Sequence, residues 1–68
     1  MTYKLLNNLD GVPYAVLRNG KDSIPFDPAN TDFANFKKQI LADEAQLQDA
    51  DGNTMSASEA KAYIDTLP

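Results

Sequence analysis

The stretch that decides the fold is residues 23–33, "SIPFDPANTDF". Pro25 has no backbone N–H to donate, so a strand that contains it belongs at the edge of a sheet. Pro28 forces the residue before it into an extended conformation, and a turn follows. Beyond that turn, Thr31 can cap a helix and Asp32 is favourable in its first turn. A strand therefore ends and a helix begins within this short stretch.

The residues before this stretch predict two further strands. Residues 2–7 and 13–18 favour extended structure, and a run of turn residues separates them. Asn19-Gly20 follows the second run, and both residues accept the positive φ that a type I′ hairpin turn demands. Residues 1–27 are therefore expected to form a three-stranded antiparallel β-meander.

One face of this meander is apolar and needs a cover. Ile24 and Phe26 alternate with Ser23 and Pro25, so the two large apolar side chains share a face. The segment at residues 31–45 supplies the cover as the predicted main helix, because large apolar side chains recur there at helical spacing. These side chains are Phe33, Phe36, Ile40 and Leu41.

The C-terminal part predicts a second helix. Residues 46–55 form an acidic turn with a short extended arm on each side, and the two arms could pair as a small hairpin. Ser56 and Glu59 then show the capping-box pattern that begins a helix over residues 56–67. Residues 1–68 are thus expected to be a single small α+β domain, with the meander packed against the main helix.

Length and composition limit how this domain can be stabilised. A chain of 68 residues buries only about 60% of the surface that it exposes when unfolded. The sequence contains no cysteine and no histidine, so neither disulfides nor a zinc site of these residues can reinforce the thin core. Marginal stability alone, or support from a partner or from copies of the same chain, is what remains.

The distribution of charge argues against a nucleic-acid partner, and the lack of a long apolar run argues against a membrane role. Residues 1–42 carry five basic and four acidic side chains, whereas residues 43–68 carry one basic and six acidic side chains. The acidic part repels phosphate backbones, and the pair Lys37-Lys38 is far short of a basic stripe, so no nucleic-acid partner is predicted. No apolar run approaches the roughly 20 residues that span a bilayer, so no membrane role is predicted either.

Catalysis finds little support in the residue types. The sequence offers no cysteine nucleophile and no histidine base, and its serines are explained as strand or cap residues. The adjacent carboxylates Asp43 and Glu44 diverge by about 100° on a helix and do not face each other. We expect no enzyme activity, no catalytic residue and no cofactor.

One pattern resembles a calcium loop and then departs from it. Asp49, Asp51 and Asn53 alternate as the first three ligands of an EF-hand loop do. The glycine, however, comes at Gly52, before the third ligand, and the twelfth position is Ala60, where a bidentate acid is needed. The residues therefore favour a plain acidic turn, and no metal site is predicted.

The aromatic residues are spread over every predicted element, as the members of a shared core are. An exposed aromatic on the outer face of the sheet is the alternative for part of this set, because a tyrosine suits a protein interface by combining area with a polar end. The set comprises Tyr3, Tyr14, Phe26, Phe33, Phe36 and Tyr63.

The segment Ile24 to Phe36 resembles a sequence found in short proteins and tail-associated open reading frames of tailed bacteriophages, which reads like "IPFDPANTDY" followed by another aromatic residue. Here Phe33 stands where that family usually has tyrosine, Phe36 supplies the second aromatic, and the tryptophan often seen further along is absent. The end of the chain, "LQDADGNTMSASEAKAYIDTLP", is similar to the C-terminal segment of small phage proteins. The resemblance implies a phage origin and brings no catalytic residue with it.

The resemblance leads to two functional hypotheses. The first is a minor structural component of the virion, in the tail, tail fibre or capsid, assembled in the host cytoplasm and binding a larger virion protein in multiple copies. The alternative is a non-virion phage protein that binds and modulates a host factor, for which a small acidic domain is suited. The exposed edge strand and the turn after it are the predicted interface, with Ile24, Pro25, Asp27 and Asn30 as its residues.

Overall fold

The computed structural model describes residues 1–67, so Pro68 lies outside the described residues. Within these residues the chain has an α+β fold of four strands and two helices, which confirms the predicted fold class. The strands pair in the order β3-β2-β1-β4, and β1, β2 and β3 form the predicted antiparallel meander. The elements are β1 (Thr2–Asn7), β2 (Pro13–Arg18), β3 (Asp22–Pro25), α1 (Thr31–Leu41), β4 (Gln46–Gln48) and α2 (Ala57–Ile64).

The hairpin between β2 and β3 turns at Asn19-Gly20, as predicted. Their φ values are 53° and 70°, and the N–H of Lys21 donates to the carbonyl of Arg18 at 3.0 Å across the turn. Asn19 also ties this turn to β1. Its side-chain oxygen accepts from the N–H of Thr2 at 3.0 Å, and its own N–H donates to the Thr2 carbonyl at 2.7 Å.

The two arms of residues 46–55 pair as the predicted small hairpin, and the first arm also forms a fourth strand of the main sheet, which was not predicted. β4 joins the main sheet in parallel to β1, with Leu47 opposite Tyr3. The return arm pairs antiparallel with β4 through a bridge between Gln48 and Thr54, and the N–H of Met55 donates to the Leu47 carbonyl at 2.8 Å. Burial explains why β4 joins the main sheet, because Leu47 is only 1% exposed and a two-stranded hairpin alone could not bury it.

Helix α1 is capped by Asn30 and not by Thr31. The Asn30 side chain accepts from the N–H groups of Asp32 at 2.8 Å and Phe33 at 3.1 Å. The reason lies in the preceding turn. The N–H of Asn30 donates to the Asp27 carbonyl at 2.9 Å and Asn30 is left extended, with φ −85° and ψ 122°, which is the conformation of an N-cap residue.

Helix α1 also ends earlier than predicted, at Leu41. Asp43 takes a left-handed φ of 59°, and its N–H donates to the carbonyl of Ile40 at 3.2 Å. The N–H of Glu44 donates to the carbonyl of Gln39 at 2.9 Å. This pair of bonds is a Schellman motif, which stops a helix by satisfying its last carbonyls. Leu41 lies outside the buried stripe and is 47% exposed.

Helix α2 begins as predicted and is shorter than predicted. Ser56 caps it by accepting from the N–H of Glu59 at 3.2 Å, and the Ser56 hydroxyl donates to a Glu59 carboxylate oxygen at 3.1 Å. The helix ends at Ile64, where the predicted segment continued to residue 67. Ala60 and Ile64 are its buried residues.

The core lies on one face of the sheet, under both helices. Its centre is an aromatic cluster in which Tyr3 meets Phe36 edge-on at 4.8 Å between ring centroids, and Phe26 meets Phe33 at 5.3 Å. These contacts join α1 to β1 and to Phe26, the residue that directly follows β3. Each of the six elements contributes buried residues around this cluster, namely Leu5, Val16, Ile24, Ile40, Leu47, Ala60 and Ile64.

Candidate functional site

The structure gives the four predicted interface residues different surroundings. The Ile24 side chain is 2% exposed and packs in the core, so it is not accessible to a partner. Pro25 and Asp27 are exposed. Asn30 is half-buried, and its side-chain oxygen is engaged as the N-cap of α1. Of the four side chains, Pro25 and Asp27 therefore remain accessible.

The backbone edge of β3 offers little to an added strand. The N–H of Phe26 donates to the Tyr14 carbonyl at 3.3 Å. Hydrogen-bonded positions alternate along an antiparallel pair, so Ser23 and Pro25 are the β3 residues whose backbone groups turn outward. Pro25 has no N–H, and its carbonyl accepts from the N–H of Asp27 at 2.9 Å. Only Ser23 then presents an outward donor and acceptor on β3.

Three of the five exposed large apolar side chains of residues 1–67 lie together in sequence, in and just after the turn between β1 and β2, whereas the other two are Met1 and Leu41. Leu9 is 107% exposed, Val12 is 54% exposed and Tyr14 is 52% exposed. An open hollow of about 380 Å³ lies beside them, lined by Asn7, Asn8, Leu9 and Tyr14. We call these three apolar residues, together with the two asparagines of the hollow, the tip surface.

The turn that presents the tip surface is held by hydrogen bonds of its own. The Asn8 side chain accepts from the N–H groups of Asp10 at 2.9 Å and Val12 at 3.1 Å. The Asn8 N–H donates to the Val12 carbonyl at 2.9 Å, and the N–H of Gly11 donates to the Asn8 carbonyl at 3.0 Å. Gly11 has φ 77°, a conformation that glycine adopts at no steric cost. The backbone therefore holds Leu9 outward.

Sequence reasoning missed the tip surface, although a signal for it existed. Leu9 stands between Asn8 and Asp10-Gly11, all of them turn residues. A large aliphatic side chain in a short turn has no core within reach. Tyr14 belonged to the aromatic set for part of which exposure was the alternative, but strand alternation did not single it out, because it shares a strand face with the buried residue Val16.

The tip surface and the accessible residues of the predicted interface lie at the same end of the sheet. In the strand register, Leu6 is opposite Ala15 and Ala15 is opposite Pro25. The Phe26–Tyr14 hydrogen bond extends this register by one position toward the turn. Pro25 and the loop after it therefore lie beside Tyr14.

The loop after Pro25 is held by local hydrogen bonds. A carboxylate oxygen of Asp27 accepts from the N–H of Ala29 at 3.0 Å, and the Asp27 carbonyl accepts from the N–H of Asn30 at 2.9 Å. These bonds explain the small polar residues of "SIPFDPANTDF" as parts of the strand-to-helix connection.

The acidic turn has a structural explanation as well. One Asp49 carboxylate oxygen accepts from the N–H groups of Asp51 and Asn53, each at 2.9 Å. The backbone hydrogen bond from Asn53, followed by the one from Asp51, lowers the pKa of Asp49 below its ordinary value. Among residues 1–67, no three His, Cys, Asp or Glu side chains are grouped to hold a metal ion.

A second concavity lies between α1, β4 and α2. It has a volume of about 180 Å³, and its wall includes Asp43, which pairs with Lys61 at 3.0 Å between Oδ2 and Nζ. Its other lining residues are Ile40, Ala45, Gln46, Thr54, Met55, Ala57 and Ala60.

The pKa values of two tyrosine hydroxyls are shifted by burial. Burial is the main cause that raises the pKa of Tyr3, and burial also raises the pKa of Tyr63. The Tyr3 hydroxyl donates to the Gln39 side-chain oxygen, which joins β1 to α1.

Two further results concern the whole chain. None of the helices within residues 1–67 is long and apolar enough to cross a membrane. Comparison of the chain with protein-family models, with curated proteins and with solved structures finds no match in any of the three.

Proposed function

We propose that this chain is a non-enzymatic structural protein, a minor component of a tailed-phage particle that uses its tip surface to bind a larger virion protein. The observation that carries the proposal is the exposure of Leu9, Val12 and Tyr14 together on a hydrogen-bonded turn.

An apolar cluster of this kind favours binding. Burying one exposed leucine side chain contributes about 1.5–3 kcal/mol, and the rigid turn around Asn8 reduces the ordering cost that a flexible loop would add. Tyrosine is enriched at interfaces because its ring carries area and its hydroxyl can find a partner. Leu9 and Tyr14 are therefore the expected anchors.

The assignment to a phage particle is supported by the resemblance of residues 24–36 to tail-associated phage proteins. Catalysis lacks comparable support, because the buried Tyr3 hydroxyl and the acidic turn at Asp49 have structural explanations. The proposed contribution is packing between proteins.

The first experiment is quantitative mass spectrometry of purified particles from the phage that encodes the chain. A fixed copy number per particle is the expected result. Absence from particles together with abundance in the infected-cell lysate would overturn the virion role and favour the alternative of a host-factor modulator.

The second experiment tests the tip surface with matched variants. Leu9→Ser and Tyr14→Ser should each reduce incorporation into particles at least about fivefold, because each removes an expected anchor. Leu41→Ser is the control, since Leu41 is an aliphatic residue on α1 whose exposed fraction of 47% is close to the 52% of Tyr14, and it should incorporate as the wild type does. Equal incorporation of all three variants would contradict binding through the tip surface.

A further inference from the structure

We infer that the tip surface binds a different protein, through an apolar pocket with a rim of Lys and Arg on that partner. Leu9 enters the pocket, and the contact is made by side chains without strand addition. This inference names the chemistry of the partner and rests on the proposed binding role of the tip surface.

Charge complementarity identifies the rim of the partner. Residues 5–17 contain Asp10 and no Lys or Arg, and residues 22–36 contain three Asp and no Lys or Arg. Two of these three, Asp22 and Asp32, lie within 3.3–3.4 Å of the Arg18 guanidinium, at the far end of β2 from Tyr14.

Asp10 and Asp27 are the remaining charges of these two segments. Asp10 lies in the turn beside Leu9, and Asp27 follows Phe26, whose N–H donates to the Tyr14 carbonyl. The border of the tip surface is therefore acidic. Interfaces pair opposite potentials, so a basic rim fits this border.

The same charges disfavour a second copy of this chain as the occupant. A two-fold interface brings the same patch of both copies together, so Asp10 and Asp27 of both copies would share one interface. The formal net charge of −4 per chain adds to that repulsion.

Strand addition is disfavoured at both edges of the sheet. On β3, Pro25 lacks an N–H and its carbonyl accepts from Asp27. On β4, the Leu47 carbonyl accepts from the N–H of Met55 at 2.8 Å, so the return arm of the acidic turn covers that edge. A partner that binds by adding a strand needs a run of outward backbone groups, and neither edge supplies one.

The test is site-specific photo-crosslinking of the full chain during infection. The photoreactive residue p-benzoylphenylalanine replaces Tyr14 in one variant and the exposed residue Lys38 on α1 in the control variant. The Tyr14 variant should crosslink to one different protein, at a peptide that contains Lys or Arg. The Lys38 variant should give at most about one tenth of that yield.

Two charge variants, each combined with p-benzoylphenylalanine in place of Tyr14, test the basic rim of the partner. Asp10→Asn with Asp27→Asn should lower the crosslink yield about threefold to tenfold, because rim charges accelerate association. Asn retains an oxygen that can accept from Ala29, so the loop is kept. Asp22→Asn with Glu44→Gln changes the formal charge by the same amount at the opposite end of the sheet, where Asp22 pairs with Arg18 and Glu44 lies beside Met1 and Thr2, and should leave the yield within about twofold. Circular dichroism verifies that both variants are folded.

The inference is overturned by a Tyr14 crosslink to a second copy of the chain, to nucleic acid or to a peptide without basic residues. It is also overturned if Tyr14 gives no crosslink, or if both charge variants behave alike. Its failure is distinguishable from that of the virion role. If the chain is absent from particles and its tip surface crosslinks to a basic host protein, the virion role alone is refuted. If the chain is a stoichiometric virion protein and its tip surface gives no crosslink, the inference alone is refuted.

Discussion

At the scale of single residues, the polar side chains of "SIPFDPANTDF" stabilise the chain locally. The Asn30 side chain accepts from two N–H groups at the start of α1, and Asp27 accepts from the N–H of Ala29. Such bonds satisfy backbone donors that a helix start or a turn leaves unpaired. Asn30 is therefore a poor candidate for a residue that acts only in binding.

The capping role gives a prediction for two neighbouring residues. Asn30→Ala should lower the free energy of unfolding by about 1 kcal/mol, whereas Thr31→Ala should change it by less than about 0.5 kcal/mol, because Thr31 makes no cap. Denaturant unfolding followed by circular dichroism measures both. A larger loss from Thr31→Ala than from Asn30→Ala would show that the helix begins one residue later.

At the scale of elements, the path of the chain after α1 creates the fourth strand. The Schellman motif with Asp43 at φ 59° turns the backbone sharply at the end of α1. The N–H of Gln46 then donates to the Met1 carbonyl at 3.0 Å, and Leu47 comes to lie opposite Tyr3. A three-residue strand is thereby fixed by its neighbours, with Leu47 as its one buried side chain.

The role of Leu47 can be tested against an exposed leucine. Leu47→Ala should destabilise the protein by about 2–5 kcal/mol, because it leaves a cavity in the core. Leu41→Ala, at a side chain that is 47% exposed, should cost less than about 0.5 kcal/mol. Thermal unfolding of both variants decides the matter. Similar small losses would mean that β4 is not integrated into the sheet.

At the scale of the whole molecule, stability depends on aromatic contacts between different elements of the fold. Tyr3 packs on Phe36, and Phe26 packs on Phe33. Burial raises the pKa of the Tyr3 hydroxyl and of the Tyr63 hydroxyl. In the folded state these groups therefore hold their protons at a pH where the unfolded chain would release them.

This linkage predicts the alkaline behaviour of the fold. A raised folded-state pKa contributes stability that is complete below the unfolded-state pKa of about 10 and is lost as the pH rises through the folded-state pKa. The free energy of unfolding should fall above about pH 10, and this fall should be shallower in the double variant Tyr3→Phe/Tyr63→Phe. Tyr14→Phe is the matched control, because its hydroxyl lies outside the core. The same slope in all three proteins would contradict the linkage.

The sequence by itself determined those features whose causes lie within a few residues of each other. Asn19-Gly20 tolerates positive φ, so the second hairpin was predictable from two residues. Ser56 and Glu59 mark the start of α2, and the spacing of Phe33 and Phe36 marks the buried face of α1. Together with the strand propensities, these local signals were sufficient for the α+β class and for the meander.

Only the tertiary structure decided the features that depend on residues far apart. β4 exists because β1, more than forty positions earlier, offers a free edge for parallel pairing, and a short segment with one large apolar residue carries no periodicity that could reveal this. The tip surface is exposed because the two helices do not extend over that end of the sheet. Tyr14 and Val16 share a strand face by alternation, yet Val16 is fully buried under the core and Tyr14 is half exposed, because the packed helices cover one part of that face and leave the end at Tyr14 open to solvent.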